Sequence, residues 1–247
     1  MEPVFRALEI AAKTAVGVTG TRITYRGLEN IPASGGAVIA INHTGYLDFL
    51  PAALAAVHRR RRLRFMIKAE MQDVWPVDFL IRHAKAIPVD RRAGSGAYAV
   101  AVARLREGEI VGVYPEATIS RSFELKEFKT GAARMALEAL VPIVPIIVWG
   151  AQRIWTKDHP RNLGRAKIPI SVAVGPPLPP TPPAGALMDD LRSEMTELLH
   201  EIQQSYDHPE GAYWVPRRLG GGAPTMEEAR VREDAEVAER ARKERDR

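Results

Sequence analysis

The run Ala37-Val38-Ile39-Ala40-Ile41-Asn42-His43-Thr44-Gly45-Tyr46-Leu47-Asp48, continued by residues 49–57, decides how this chain folds. Its first five residues are apolar and partly β-branched, the composition of a buried strand. Residues 49–57 are rich in alanine and leucine, and Pro51 is tolerable there only because it falls near the first helical turn. Strand, short polar loop and helix in this order form the repeating unit of an open α/β sheet. In such sheets, ligand and catalytic groups gather at the carboxyl ends of the strands. His43 stands at one of those ends. Asp48 follows five residues later, a spacing that does not share a helix face, so His43 belongs to the loop and Asp48 to the first turn, and their side chains can converge. An imidazole whose second ring nitrogen is held by a carboxylate has the parts of an oriented general base. Read alone, the pair also fits a solvated loop histidine beside an acid that complements a helix dipole.

Outward from this unit, strand-like runs fall at 23–25, 38–41, 64–68, 87–90, 110–114, 143–148 and 168–174. Helical patterns fall at 4–16, 49–57, 71–83, 98–107, 131–140 and 187–206. The alternation predicts a single α/β domain with a central, mostly parallel or mixed sheet of about six to seven strands flanked by helices. Residues 1–20 are expected to form an amphipathic N-terminal helix, 21–210 the α/β domain, and 211–247 a Gly/Pro linker with a charged tail. The tail has few apolar side chains beyond alanine and reads as a solvated helix or as disordered chain. A proline-rich connector, Gly175-Pro176-Pro177-Leu178-Pro179-Pro180-Thr181-Pro182-Pro183, precedes the last long helix of the domain.

The 247 residues suit one sizeable domain, and the absence of cysteine excludes disulfides, thiolate nucleophiles and cysteine metal sites. A reducing cytoplasm is the simplest home. No run matches a signal segment or a membrane span, so the chain is expected neither to cross a bilayer nor to leave by a recognisable signal. The net charge of +5 points to an anionic partner: nucleic acid, a phosphorylated metabolite or an acidic lipid surface. In the first helix, Val4, Phe5, Leu8, Ala11, Ala12, Ala15 and Val16 share one side, which could lie in a membrane interface or pack on the core. Arg59-Arg60-Arg61-Arg62-Leu63-Arg64 holds more arginine than a helix terminus needs, and lipid headgroups or nucleotide phosphates would be drawn to it.

Three further stretches lie at or near strand ends. Ala86-Ile87-Pro88-Val89-Asp90-Arg91 ends on an arginine suited to a phosphate or carboxylate fork. Val113-Tyr114-Pro115-Glu116-Ala117-Thr118 supplies a carboxylate and a hydroxyl, and Val141-Pro142-Ile143-Val144-Pro145 opens a later strand. With Asn42-His43-x4-Asp48 at their head, these stretches resemble, in order, the four blocks of the glycerolipid acyltransferases, the family of 1-acyl-glycerol-3-phosphate acyltransferases. Phe128-Lys129-x-Gly131 resembles the segment that follows the third block.

The resemblance implies transfer of a fatty acyl group from acyl-CoA or acyl-carrier protein to a hydroxyl of a lysophospholipid, 1-acylglycerol-3-phosphate foremost, in phospholipid biosynthesis. His43 would be the general base and Asp48 would orient it. Arg91, Glu116, Thr118 and Arg121 would bind substrate, with Asn42, Pro115 and Pro145 as supporting motif positions. No metal and no cofactor beyond the acyl donor would be required. The partners would be the donor, the lysophospholipid and the inner face of the cell membrane, to which the protein would attach peripherally. Two departures fall in the third block, where Ala117 replaces the usual glycine and Ile119 the usual arginine. Arginine to isoleucine deletes a charge and five donors; Arg121, two residues on, could stand in. Lys85 also stands where the second block often has glycine. The acceptor therefore stays open among lysophosphatidic acid, another lysophospholipid, glycerol phosphate and a hydroxylated glycolipid.

A reading from another class rests on Gly94-Ser95-Gly96-Ala97-Tyr98-Ala99, which has the outline of a dinucleotide-binding fingerprint, with Glu116 as the later acid. It would make the protein a nicotinamide-dependent oxidoreductase, but Arg91, Arg92 and Ala93 separate the strand from its first glycine. Nucleic-acid binding lacks an aromatic stacking platform. A hydrolase would need a Gly-x-Ser-x-Gly elbow, and there is none.

Overall fold

The computed structural model describes residues 3–69, 78, 82–89 and 95–245. Among these lie strands β1 (Arg22–Arg26), β2 (Ala37–Ile41), β3 (Leu63–Lys68), β4 (Ile87–Val89), β5 (Ile110–Val113), β6 (Ile143–Trp149) and β7 (Pro169–Val174). The helices are α1 (Pro3–Thr19), α2 (Phe49–His58), α3 (Ser95–Arg106), α4 (Gly131–Ala139), α5 (Ala184–Gln204) and α6 (Met226–Arg245). The strands form one mixed sheet in the order β1-β7-β6-β2-β5-β3-β4. Every neighbouring pair is parallel except β6 with β7. Each expected strand is therefore present, and the reversal at β7 is what makes the sheet mixed.

The two-residue period of a strand divides β2 and β6 between two cores. Val38, Ala40, Ile143, Ile147 and Trp149 face one side, where Ala101 and Leu105 of α3, Ala133 and Ala136 of α4, and Leu191, Met195 and Ile202 of α5 cover them. Ala37, Ile39, Ile41, Val144, Ile146 and Val148 face the other, beneath Ala52, Ala55 and Ala56 of α2. Small alanines on α2 let it lie close to the sheet, so the turn that carries Asp48 is fixed against the end of β2. Burial of β2 and β6 on both faces explains their continuous apolar runs. In register, Ala40 pairs with Val113 of β5 and with Pro145 of β6, so the residues following β2 and β5 emerge side by side while β6 runs on to Trp149.

Several expectations are corrected. Residues 211–224 are no loose linker: Trp214, Val215 and Ala223 are buried in the core beneath α5. The stretch closes on itself through Gly211 N–H to the Gly220 carbonyl and Gly222 N–H to the Ala212 carbonyl. A tryptophan and a valine in that stretch bury enough apolar surface to fasten it. The arginine run is also mostly structural. Arg61 donates to the carbonyls of Pro32, Gly35 and Gly108, Arg59 to that of Ile31, and buried Arg64 to Glu109 and the Ala84 carbonyl. Those guanidiniums hold loop carbonyls rather than waiting for phosphate.

Gly96 and Ala99 lie inside α3 instead of in a strand-to-helix turn, which removes the dinucleotide fingerprint; Gly94 is outside the described residues. The tail is helical as α6, but it docks on the body. Of the helix expected at 71–83, only Asp78, Arg82 and His83 are among the described residues, and all three are helical. Helix α1 rides on the surface. Phe5 lies beneath Arg62 and Arg64, at 5.3 and 5.8 Å from ring centroid to guanidinium carbon, while Ile10, Ala11, Ala15 and Val18 face outward. Val4, Phe5, Leu8, Ala12 and Val16 are half-buried, and no described α1 side chain is fully buried.

Candidate active site

Asn42, fully buried directly after β2, takes the place of a strand residue. Its side-chain amide donates to the Val148 carbonyl at 3.0 Å, and its side-chain oxygen accepts from the Val148 amide at 2.7 Å. This two-way pairing ends the strand while locking it to β6, and it directs the next residue into the loop. The motif asparagine thus has a mechanical task, and a carboxylate there could not donate.

His43 and Asp48 do meet. The Nδ1 of His43 lies 3.2 Å from Oδ2 of Asp48, with the histidine side chain 18 % exposed and the aspartate 0 % exposed. The same Oδ2 accepts the amides of Thr44 and Gly45, each at 2.7 Å. Three donors on one oxygen fit a carboxylate that receives the Nδ1 proton, which leaves Nε2 as the free base. Burial pushes the Asp48 carboxyl up, while His43 and the two amides pull it back. Asp48 Oδ1 is buried without a hydrogen-bond partner. The imidazole stacks on the Tyr114 ring, at 4.0 Å between centroids and 16° between planes. Burial, and to a lesser degree Asp48, raise the Tyr114 phenol well above its ordinary range, so Tyr114 serves as a neutral wall that fixes the ring plane.

The third block holds the same histidine by its backbone. Glu116 Oε1 accepts the His43 amide at 2.8 Å, its Oε2 accepts the Lys126 amide at 3.1 Å, and the Ser120 amide donates to the His43 carbonyl at 2.7 Å. Desolvation dominates the balance on Glu116 and pushes its carboxyl up to about 7. Its oxygens face inward, onto main-chain amides. Ala117, at the family's glycine position, sits at φ 62°, a left-handed conformation that glycine adopts freely and alanine does not. Ile119, at the family's arginine position, is buried in the protein. Lys129 N–H donates to the carbonyl of Pro115, and Gly175 N–H to that of Pro145, so both motif prolines act through main-chain oxygens.

Residues after β6 complete the site and carried no readable signal in the sequence. Thr156 donates its hydroxyl to the Thr44 carbonyl at 2.7 Å, and the Tyr46 amide donates to the Trp155 carbonyl at 3.0 Å. A Cβ on Gly45 would meet that carbonyl oxygen at 2.9 Å, which is why the loop needs glycine there. The Tyr46 and Trp155 rings lie 4.6 Å apart. Beyond them Arg121 pairs with Asp158 at 2.6 Å and with Glu236 of α6 at 2.8 Å, while Thr118 and Lys126 engage Glu233 of α6. Arg91 lies outside the described residues. Among the described residues no three His, Asp or Glu side chains come together as a metal site.

Chemically, this is an α/β protein that presents a carboxylate-oriented imidazole at the carboxyl end of its central strand. The Acyltransferase family model matches residues 22–149, which contain His43, Asp48 and the third block, and the chain belongs to that family. It is 30 % identical over 185 residues to the 1-acyl-sn-glycerol-3-phosphate acyltransferase of Bacillus subtilis, covering 71 % of this chain and 87 % of the relative. With the human 1-acyl-sn-glycerol-3-phosphate acyltransferase alpha it shares 29 % over 215 residues, covering 82 % of this chain and 72 % of the relative. The crystal structure of PlsC, the 1-acyl-sn-glycerophosphate acyltransferase of Thermotoga maritima, superposes with a TM-score of 0.70 at 21 % identity. That likeness covers 83 % of this chain and 82 % of PlsC, and it establishes the shared fold.

Proposed function

We propose that the protein acylates the free hydroxyl of 1-acylglycerol-3-phosphate, taking the acyl group from acyl-CoA or acyl-carrier protein, as a step of phospholipid synthesis. The names of its relatives support that acceptor, and the approach of His43 Nδ1 to the buried Asp48 carboxylate carries the chemistry. In this reading Nε2 of His43 removes the hydroxyl proton as the alcohol oxygen attacks the thioester carbonyl. The tetrahedral intermediate collapses by breaking the carbon–sulfur bond, and the departing thiolate takes the proton from the imidazolium. Asp48 keeps its charge throughout and stabilises that imidazolium. Direct transfer needs no acyl-enzyme, which suits a chain without cysteine. A positioned base contributes roughly 10²–10⁴ in rate, and the remainder comes from positioning and from electrostatic stabilisation of the oxyanion.

The acceptor phosphate is assigned to Arg91, by its second-block position, and to Thr118 and Arg121. Because Ile119 is buried where the family has arginine, the same chemistry on another lysophospholipid or on a glycolipid hydroxyl is the second reading. The protein is assigned to the inner face of the cell membrane, as a peripheral enzyme requiring no metal or cofactor. Among the described residues no helix is long and apolar enough to cross a membrane. A panel of lysolipid acceptors offered with radiolabelled acyl-CoA or acyl-carrier protein tests the reading. Lysophosphatidic acid should be the best acceptor, and His43→Ala should abolish transfer while leaving the melting temperature near that of the parent. Undiminished turnover by the purified His43→Ala protein would refute the base. Arg91→Ala should raise the acceptor KM more than the donor KM; an effect on the donor alone would show its role misassigned.

A further inference from the structure

Helix α6 lies beyond the span matched by the family, yet it is seated on the third block. Met226, Ala229, Glu233 and Glu236 recur three, four and three residues apart, so they form one stripe along the helix. That stripe is the contact face. It contributes little apolar burial: Ala229 is buried, Met226 is partly exposed, and Val231 and Val237 point to solvent. Met226 also borders a surface cavity of about 240 Å³ shared with Leu125, Arg192 and Leu199.

Charge does the fastening. Glu233 accepts from Lys126 Nζ at 2.8 and 2.9 Å and from the Thr118 hydroxyl. Glu236 accepts from Arg121 Nη2 at 2.8 Å and from Lys157 Nζ at 2.9 Å. The cations are the more deeply placed partners: the side chains of Arg121, Lys126 and Lys157 are 10, 16 and 13 % exposed, against 28 and 24 % for Glu233 and Glu236. They also border the catalytic loop on two sides. The Lys126 amide is bound by Glu116, which holds His43, and Lys157 follows Thr156, which holds the Thr44 carbonyl. Arg121 keeps Asp158 as a partner, and Arg232 of α6 faces that same aspartate. Three cations and Asp158 leave a seat with a surplus of about two positive charges. A phosphate monoester near neutral pH carries about −1.5 to −2, matching the pair of glutamates.

We propose that Thr118, Arg121, Lys126 and Lys157 form the seat of a phosphate monoester, and that Glu233 and Glu236 occupy it in the phosphate's place. The acceptor phosphate and the C-terminal helix then compete, and the enzyme holds its own acceptor site shut until a phosphorylated ligand displaces α6. That the ligand is an acyl acceptor rests on the acyl-transfer reading above; the competition itself does not. If the helix is docked about nine-tenths of the time, the apparent acceptor KM is raised roughly tenfold.

The test is hydrogen–deuterium exchange across 226–245 in the full-length protein, at constant ionic strength. Its arms are glycerol 3-phosphate, inorganic phosphate, glycerol with chloride, and vesicles containing phosphatidic acid. Exchange in α6 should rise with glycerol 3-phosphate and remain low with glycerol and chloride. A matching rise with inorganic phosphate would identify the phosphate group alone as the displacing chemistry, and a rise with vesicles would extend it to a lipid headgroup. The double variant Glu233→Gln/Glu236→Gln, which keeps the helix-forming chain, should show fast exchange in α6 without ligand and a several-fold lower acceptor KM at unchanged kcat. Unchanged protection under every phosphate, or an acceptor KM unaltered in the double variant, overturns the proposal. If no lysolipid is acylated while α6 still responds to phosphate, the acyl-transfer reading fails and the anion seat stands.

Discussion

At the scale of single residues, the site separates holding a histidine from using it. Asp48 receives three donors on one oxygen, so its charge fixes both the loop and the imidazole tautomer. Asp48→Asn keeps the shape but offers an amide where a carboxylate stood, and the ring is then free to turn its proton toward the substrate. Turnover should fall by roughly 10²–10⁴ with little change in acceptor KM, measured under saturating donor. Glu116 makes a prediction about pH. Burial raises its folded carboxyl from 4.5 to about 7, so between those values the folded protein keeps a proton that the unfolded chain has released. Stability from this group is therefore fully present below about pH 4.5 and is lost as pH rises through about 7, by about 3 kcal/mol in total. Urea unfolding at pH 5 and pH 8 should show this loss in the parent, and Glu116→Gln should remove it. An identical pH slope in the two proteins would show that the carboxyl does not titrate there. Ala117 holds a left-handed φ of 62° that costs an alanine about 1–2 kcal/mol. Ala117→Gly should therefore raise stability by about 1 kcal/mol in the same assay, after glycine's greater unfolded-state entropy is offset.

At the scale of elements, what was legible followed from how each residue is buried. Strands β2, β5 and β6 are buried on both faces, so their apolar runs could hardly belong to anything else, and their order with the helices between them fixed the α/β class. The reversal of β7 was not legible. Pro169–Val174 reads the same in either direction, and its sense is set by the loop from Gly150 onward, which returns the chain antiparallel to β6. The arginine run misled because charge alone does not reveal whether a guanidinium meets water, phosphate or a carbonyl. Arg61 donates to three carbonyls drawn from the loops before β2 and before β5. Arg61→Ala should cost about 2–4 kcal/mol in chemical denaturation, since these are charge-assisted bonds lost together. Exposed Arg60 should change stability by no more than about 0.5 kcal/mol when replaced by alanine. Equal small effects would return the whole run to the surface-charge reading.

At the scale of the whole molecule, the His43–Asp48 half of the site could be read from sequence because both residues fall within a short loop. The other half could not. Thr156 and Lys157 follow a strand a hundred residues later, and Glu233 with Glu236 arrive from a helix that the composition marked as solvent-facing. Its contact stripe of Ala229, Glu233 and Glu236 shows only in the docked helix. The surface helix α1 poses the converse problem, since its sequence is amphipathic and its apolar face is only half-buried. Phe5 touches Arg62 and Arg64, while Ile10 and Val18 are exposed and no described side chain of α1 is fully buried. A helix that buries so little contributes little to folding, and its apolar residues gain more by entering a lipid interface. Deleting residues 1–18 should therefore lower binding to anionic vesicles several-fold in a sedimentation assay while shifting the melting temperature by no more than a few degrees. Loss of cooperative unfolding, with vesicle binding unchanged in whatever folds, would mean that α1 belongs to the core after all.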